Sequence, residues 1–275
     1  MPTERIVITV KTYPQLSTKY GETVCTAGMK PDGSWVRLYP IPFRLLDLEN
    51  RYRKWEIIEA PLQRVNSDFR PESHNPIDPD AIEVVGKLDR ENDWQARRDL
   101  VFRSAPIHTA LQPLIRAAHA NECSLATFRP TEVLDFLWEP DEREWNEDKL
   151  QAMRQHHEQG ELFADENWRE AFRVIPKLPY RFRYVFRDAD GKESRPQILD
   201  WEVGMLYWNC LKGSPSEAAA LDKVRAKFID EFANKDLHFF LGTTKGQHLR
   251  AVNPWLIVGL FYPPITRQRE LGLFY

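Results

Sequence analysis

An α+β fold is what this sequence predicts: a small closed or part-open β-barrel, a helical acidic middle, and a second β-rich unit carrying two helices. Three observations point there. About five short strand-like runs precede Leu88, separated by Pro, Gly and Asx turns, a count that a small barrel accommodates. Residues 91–170 carry 9 basic and 17 acidic side chains and mostly helical pattern. After Pro179 strand alternation returns, interrupted by two stretches of helical period. These shifts divide the chain into 1–90, 91–170 and 171–275.

The first strand is RIVITV, residues 5–10, an apolar run ended by Tyr13-Pro14. A hairpin follows. Glu22–Met29 is strand-like, Pro31-Asp32-Gly33 is turn chemistry, and Ser34–Tyr39 alternates again. Residues 54–65 read as a longer strand in which Pro61 suggests an edge position or a bulge. Residues 66–79, with three prolines, read as loop, and Ile82–Leu88 as one more strand. In the middle, Leu111, Leu114, Ile115 and Ala118 share one helical face. Residues 124–138 return to mixed strand character, and 141–170 read as a polar connector with a helix over 145–157. In the final third Tyr180–Phe186 alternates aromatics with Arg181, Arg183 and Val185, and Asp188–Gly191 is a turn. Asp200 caps a helix bearing Val203, Leu206 and Tyr207 on one stripe. Ser214-Pro215-Ser216-Glu217 opens another as a capping box. Residues 237–242 and 255–261 are the closing strands.

Composition excludes several classes. No run approaches the ~18 apolar residues of a membrane span, so no membrane association is expected. The N-terminus lacks a signal-peptide pattern. Three widely spaced cysteines, Cys25, Cys123 and Cys210, indicate neither a disulfide framework nor a cysteine zinc site, which points to the cytoplasm. A net charge of −3 argues against a constitutive nucleic-acid coat, yet residues 171–275 carry 16 basic and 11 acidic groups, so a local basic face is allowed.

Four groups of residues could carry chemistry. A period of two places Trp35, Arg37 and Tyr39 on one face of the second hairpin strand. That is the look of a base-stacking surface, with Lys11, Tyr13, Lys19 and Arg44 on flanking segments able to meet phosphates. It is equally the look of a half-buried strand. Arg181 and Arg183 face away from the aromatic side of their strand, toward solvent or phosphate. The loop Ser67, Asp68, Arg70, Glu72 and Ser73 gathers carboxylates, hydroxyls and an Arg, as a ligand loop or as self-satisfied turn chemistry. Thr243, Thr244, Lys245 and His248 lie in a Gly-bounded loop without Walker spacing, where hydroxyls and cations could still meet a backbone phosphate. His156, His157, Glu158, Glu161 and Asp165 superficially resemble metal ligands. Adjacent His residues on a helix diverge, so a solvated acidic helix is the better reading and no metal is expected.

Several segments together, KTYP, KYGETVCTAG, GSWVRLYPIPFR, SDFRPES, DWEVGMLYWNC, FFLGTT and NPWLIVGLFYPP, resemble a bacterial family of dual OB domain-containing proteins. The likeness spans Lys11 to Pro264. It implies two small OB-like β-barrels and a nucleic-acid link in genome defence or repair, with protein partners in such a complex. Some relatives carry metal-ligand Cys and His around the segment matching Tyr180–Trp201. Here Arg187, Asp188 and Gly191 occupy that turn without Cys, so no metal or other cofactor is carried over.

The leading expectation is therefore a module that binds single-stranded or distorted nucleic acid. The first alternative is an enzyme or nucleotide-binding protein with a site built from the 66–73 loop and the first hairpin, using Asp68, Arg70, Glu22 and Cys25. The second is a scaffold subunit of a larger complex. The balance leans against an enzyme, because no nucleophile elbow, paired-carboxylate signature or dinucleotide fingerprint is present.

Overall fold

The computed structural model describes residues 3–17, 21–41, 43, 46, 50–104, 106–151 and 175–265. The strands of the first part are β1 (Thr3–Lys11), β2 (Gln15–Ser17), β3 (Gly21–Met29), β4 (Trp35–Ile41), β5 (Glu56–Arg64), β6 (Ser73–Pro76) and β7 (Glu83–Lys87). Five of them close a barrel in the order β1-β3-β4-β6-β5, with β5 returning to β1. All neighbours are antiparallel except β4 and β6, which run parallel through Arg37–Ser73 and Leu38–His74. β2 adds to β3, and β7 adds to β5.

The hairpin forms where turn chemistry places it. Gly33 sits at φ 80 and the Asp32 carboxylate accepts from the Ser34 backbone and hydroxyl. Alternation then sorts the strands: Ile6, Ile8, Val36, Leu38, Ile58 and Ala60 point into the barrel core. Val7, Val10, Ala27 and Met29 point outward, yet they too are buried, against Leu125, Phe240, Val258 and Phe261 of the second half. Ile6, Val7, Ile8 and Val10 are apolar on both sides of β1 because both of its faces are covered there.

Two expectations fail in this part. Ser73–Pro76, read as loop, is the strand that closes the barrel. Four residues containing Asn75 and Pro76 have no strand signature, and their place is set by partners on either side. Pro61 is not at an edge. It faces Thr3 across the β1 pair, and its missing N–H falls where the opposite neighbour of β5 changes from β7 to β6.

The rest of the chain holds α1 (Glu91–Ser104), β8 (Ile107–His108), α2 (Leu111–His119), β9 (Leu125–Phe128), β10 (Glu132–Pro140), β11 (Tyr180–Arg187), β12 (Glu193–Ser194), α3 (Trp201–Lys212), α4 (Glu217–Ala226), β13 (His238–Thr243) and β14 (Trp255–Phe261). These strands make two sheets, β10-β11-β12 and β14-β13-β9-β8. Single bridges link them at Arg183–Gln197 and Ile198–Ile257. Among the described residues they form no second closed barrel. Residues 107–140 are therefore part of the second half rather than of a helical connector. β9 pairs with β13 and β10 with β11, contacts that sequence-local reading cannot reach. Asp200 caps α3 as expected, and α4 is capped by Ser216, whose hydroxyl accepts from Ala219 N. The helix expected over 145–157 and the cluster His156, His157, Glu158, Glu161 and Asp165 fall mostly or wholly outside the described residues.

One buried charge makes a pH prediction. The Lys11 ammonium lies 3.4 Å from the centroid of Phe43 and 4.7 Å from that of Trp201, and it donates to Tyr52 O. Burial pushes it down to about 7, with Lys54 and Arg53 adding to the shift against Glu56. Between about 7 and its ordinary 10.5 the unfolded chain holds this proton and the folded chain does not. Stability contributed through Lys11 is thus lost as pH falls through about 7 and rises as pH climbs above it. Urea titrations across this range are expected to show that rise in the wild type and a flattened profile in Lys11→Met. Superposable profiles would contradict it.

Candidate functional site at the seam of the two halves

Three of the four candidate groups converge at one place. Arg37, only 1% exposed, donates from Nη1 to Ser124 Oγ at 2.5 Å and from Nη2 to Ser124 O at 2.9 Å. The Ser124 hydroxyl passes its own proton toward Glu72 Oε2 at 2.5 Å, and Ser124 N donates to the same carboxylate. Beside it Arg70 holds Asp68 through Nε and Nη2 and reaches Thr243 O with Nη1 at 2.5 Å. Burial alone would raise the Asp68 carboxyl, but the Arg70 guanidinium outweighs it and holds the group down at about 2. His248, fully buried, sits between Thr243 Oγ1 (2.9 Å) and Asn121 Oδ1 (3.0 Å). Because Asn121 Nδ2 donates to Phe69 O, its oxygen faces the ring, so His248 carries its proton on Nε2 and accepts at Nδ1. Burial, with Arg70 and Arg37 nearby, keeps this imidazole neutral.

The loop read as a ligand loop is thus the plug that docks the barrel onto the second half. Its charges are spent inside the protein. The same holds for Arg37, which is turned to Ser124 and not to solvent. Trp35 packs edge-on against Phe240 at 5.4 Å, so the face it shares with Arg37 is largely covered. Only Tyr39, 42% exposed, stays open at the far end. Ser67, Thr244 and Lys245 are exposed.

Beside this lock a cleft of about 410 Å³ opens between the hairpin tip, β6, β8 and β9. It is lined by Trp35, Glu72, His74, His108, Cys123 and Thr127, among others. Trp35 Nε1 and Thr127 Oγ1 are buried without a hydrogen-bond partner among the described residues. Burial lowers His108 and keeps its ring neutral. Burial, together with Glu72 and Glu122, pushes the Cys123 thiol up to about 11, so it is protonated and a poor nucleophile. His74, His108, Cys123 and Thr127 escape sequence reasoning because they are scattered over 54 positions and share no period.

The chain matches two families described only as domains of unknown function: DUF8758 over residues 2–103 and DUF8757 over residues 107–275. The chain belongs to the DUF8757 family. No curated protein and no solved structure matches it. The boundary between the two matches falls between α1 and β8, so the seam cleft lies between a DUF8758 barrel and a DUF8757 unit.

Within the DUF8757 unit the aromatics of β11 fill the core, with Phe182, Tyr184 and Phe186 at most 2% exposed. Arg181 lies 4.0 Å from Asp141 and Arg183 lies 3.3 Å from Glu139. Arg187 and Arg225 likewise meet Glu132 and Asp135. This face is an ion-pair ladder, which leaves little free positive charge for phosphate. In the DUF8758 barrel Tyr13 is buried, accepting from Trp208 Nε1 and donating to Pro176 O. Lys11 is caged as described above. Glu22 is buried and Cys25 half-buried, with the Cys25 backbone N–H donating to Thr12 Oγ1. Lys19 and Arg44 lie outside the described residues.

Proposed function

We propose that the protein binds single-stranded nucleic acid through an OB-type barrel, with an unstacked base entering the seam cleft beside Trp35. The observation that carries this reading is the strand order. Numbered along the barrel, β1, β3, β4, β5 and β6 close as 1-2-3-5-4-1 with strands 3 and 5 parallel, the connectivity of an OB barrel. Such barrels bind oligonucleotides on strands 2 and 3, and the cleft opens at the hairpin joining those two strands. Because the DUF8757 unit covers the rest of that face, the reading is of a short contact of one or two bases, not a long tract. The resemblance to dual OB proteins adds a bacterial defence or repair setting and partners of that kind.

Fluorescence anisotropy with short DNA and RNA oligonucleotides at two ionic strengths tests it. Binding is expected at low salt and weaker binding at high salt. Trp35→Ala is expected to weaken it by about fivefold to a hundredfold, from a stacking contribution of about 1–3 kcal/mol per base. A melting curve on the same variant separates lost stacking from lost packing against Phe240. Absence of binding to either polymer would sink the reading.

The position of the cleft supports a second reading. It is assembled from the first hairpin and the end of the 66–73 loop, and about 410 Å³ suits a single nucleobase or nucleoside. Free nucleosides binding as tightly as oligonucleotides would favour that small-ligand role.

A further inference from the structure

Strand β7 hangs on the barrel by one side only. It pairs with β5, and its other side pairs with no strand among the described residues. All five of its residues, Glu83–Lys87, are exposed. An edge of this kind presents a row of backbone N–H and C=O groups to any strand that can lie beside it. Three of the eight large apolar side chains that stand exposed among the described residues gather here, so the edge is apolar as well as unpaired. Two are Val84 and Val85 on the strand itself. The third is Ile77, whose backbone N–H donates to Pro61 O farther along the same side of β5. β7 also carries one residue more than its partner. The register steps from Ile57–Gly86 to Ile58–Val84, so Val85 has no counterpart on β5.

The charges on β7 sit at its two ends. Glu83 opens the strand, Lys87 closes it, and neither makes an ion pair among the described residues. Across the β5 ladder Glu83 faces another carboxylate, Glu59, which has Arg5 at 3.7 Å. Like charges directly opposite each other are unfavourable, so a cation on the outer side of Glu83 is favoured.

We propose that β7 pairs with the β7 of a second copy of the chain, antiparallel about Val85, so that two barrels join through one continuous sheet. In this register Glu83 of each copy lies opposite Lys87 of the other, Val84 opposite Gly86, and Val85 opposite itself. The two-fold axis makes the contact self-complementary and closed. Parallel alignment would set Glu83 on Glu83 and Lys87 on Lys87, and any slip of register removes both charge pairs. The complement that the edge calls for is already written in the strand itself, which favours a second copy over a foreign peptide. Five residues a side is far below the roughly 20–30 of a standard interface, so the dimer is weak and concentration-dependent. The inference does not depend on the seam cleft.

Sedimentation velocity on the full chain tests it. A monomer–dimer equilibrium is expected, with a dissociation constant between about 10 and about 300 µM. Glu83→Lys and Lys87→Glu each set like charges opposite one another twice, and each is expected to weaken the dimer at least about fivefold. The double variant Glu83→Lys/Lys87→Glu restores both pairs with the signs exchanged and is expected to return to within about twofold of the wild type. Both residues are at the surface, and melting curves check that the variants fold. In the wild type, hydrogen exchange over residues 83–87 is expected to slow as concentration rises, which locates the contact without any substitution. The proposal is overturned if the wild type stays monomeric up to about 500 µM. It is equally overturned if either single variant dimerises as the wild type does, if the double variant does not recover, or if exchange over 83–87 is indifferent to concentration.

Discussion

Arg37→Met is expected to lower the free energy of unfolding by about 3–5 kcal/mol, the scale for removing one member of a buried, hydrogen-bonded charged network. Arg37 is not near a partner by accident of rotamer. Its strand pairs with β6, its backbone N–H donates to Glu72 O, and its guanidinium reaches Ser124 of the other half. Methionine fills similar space but donates nothing. It leaves the Ser124 carbonyl and hydroxyl short of donors and the half-buried Glu72 carboxylate without the Arg37 cation nearby. A urea titration measures the effect. A double-mutant cycle with Ser124→Ala should return a coupling of about 1 kcal/mol or more. A loss below about 0.5 kcal/mol, the range of ordinary surface substitutions, would mean that Arg37 is not a fastener of the seam. The prediction also separates the two lives imagined for this residue. A phosphate-binding arginine would lose ligand affinity on mutation and leave stability alone.

Gly28→Ala is expected to be of similar or greater size, at least about 3 kcal/mol, with soluble yield falling accordingly. A Cβ built at Gly28 would stand 2.3 Å from Val7 O and 2.6 Å from Ile6 Cγ2. The first contact is with backbone, and Val7 is held in register between Met29 on β3 and Ile57 on β5. Nothing there can swing aside, so β1 and β3 must part and the barrel wall opens. Gly86→Ala is the control. Its Cβ would meet only Ile57 Cδ1 at 3.5 Å, an ordinary contact, and a change within about 0.5 kcal/mol is expected. Equal melting temperatures for the two variants would refute the packing argument.

Both predictions rest on features that show how far local pattern reaches. The hairpin was legible, because Pro31-Asp32-Gly33 and the alternation on either side are properties of consecutive residues. The caps of α3 and α4 were legible within two residues for the same reason. The inward set of the barrel followed from the period of two. The aromatic face of β11 and its outward arginines also followed, though their carboxylate partners did not. β6 was not legible, since its four residues are strand only by virtue of what lies on each side.

The candidate site divides along the same line. Amino-acid order alone placed Arg37, the 67–73 loop and the 243–248 loop among the residues with unusual chemistry, and it marked Trp35 as a ring on an exposed-looking face. It could not say what those residues face. Alternation specifies which side of a strand a residue occupies, whereas the partner across that side is supplied by residues 87 to 173 positions away. Only the tertiary structure decided that Arg37 meets Ser124, that Arg70 meets Thr243, and that His248 closes on Asn121. The physical reason is desolvation. Once the apolar outer faces of β1 and β3 are buried against β13 and β14, every polar group nearby must find a partner inside, and the chemistry that looked available to a ligand is used to hold the two halves together.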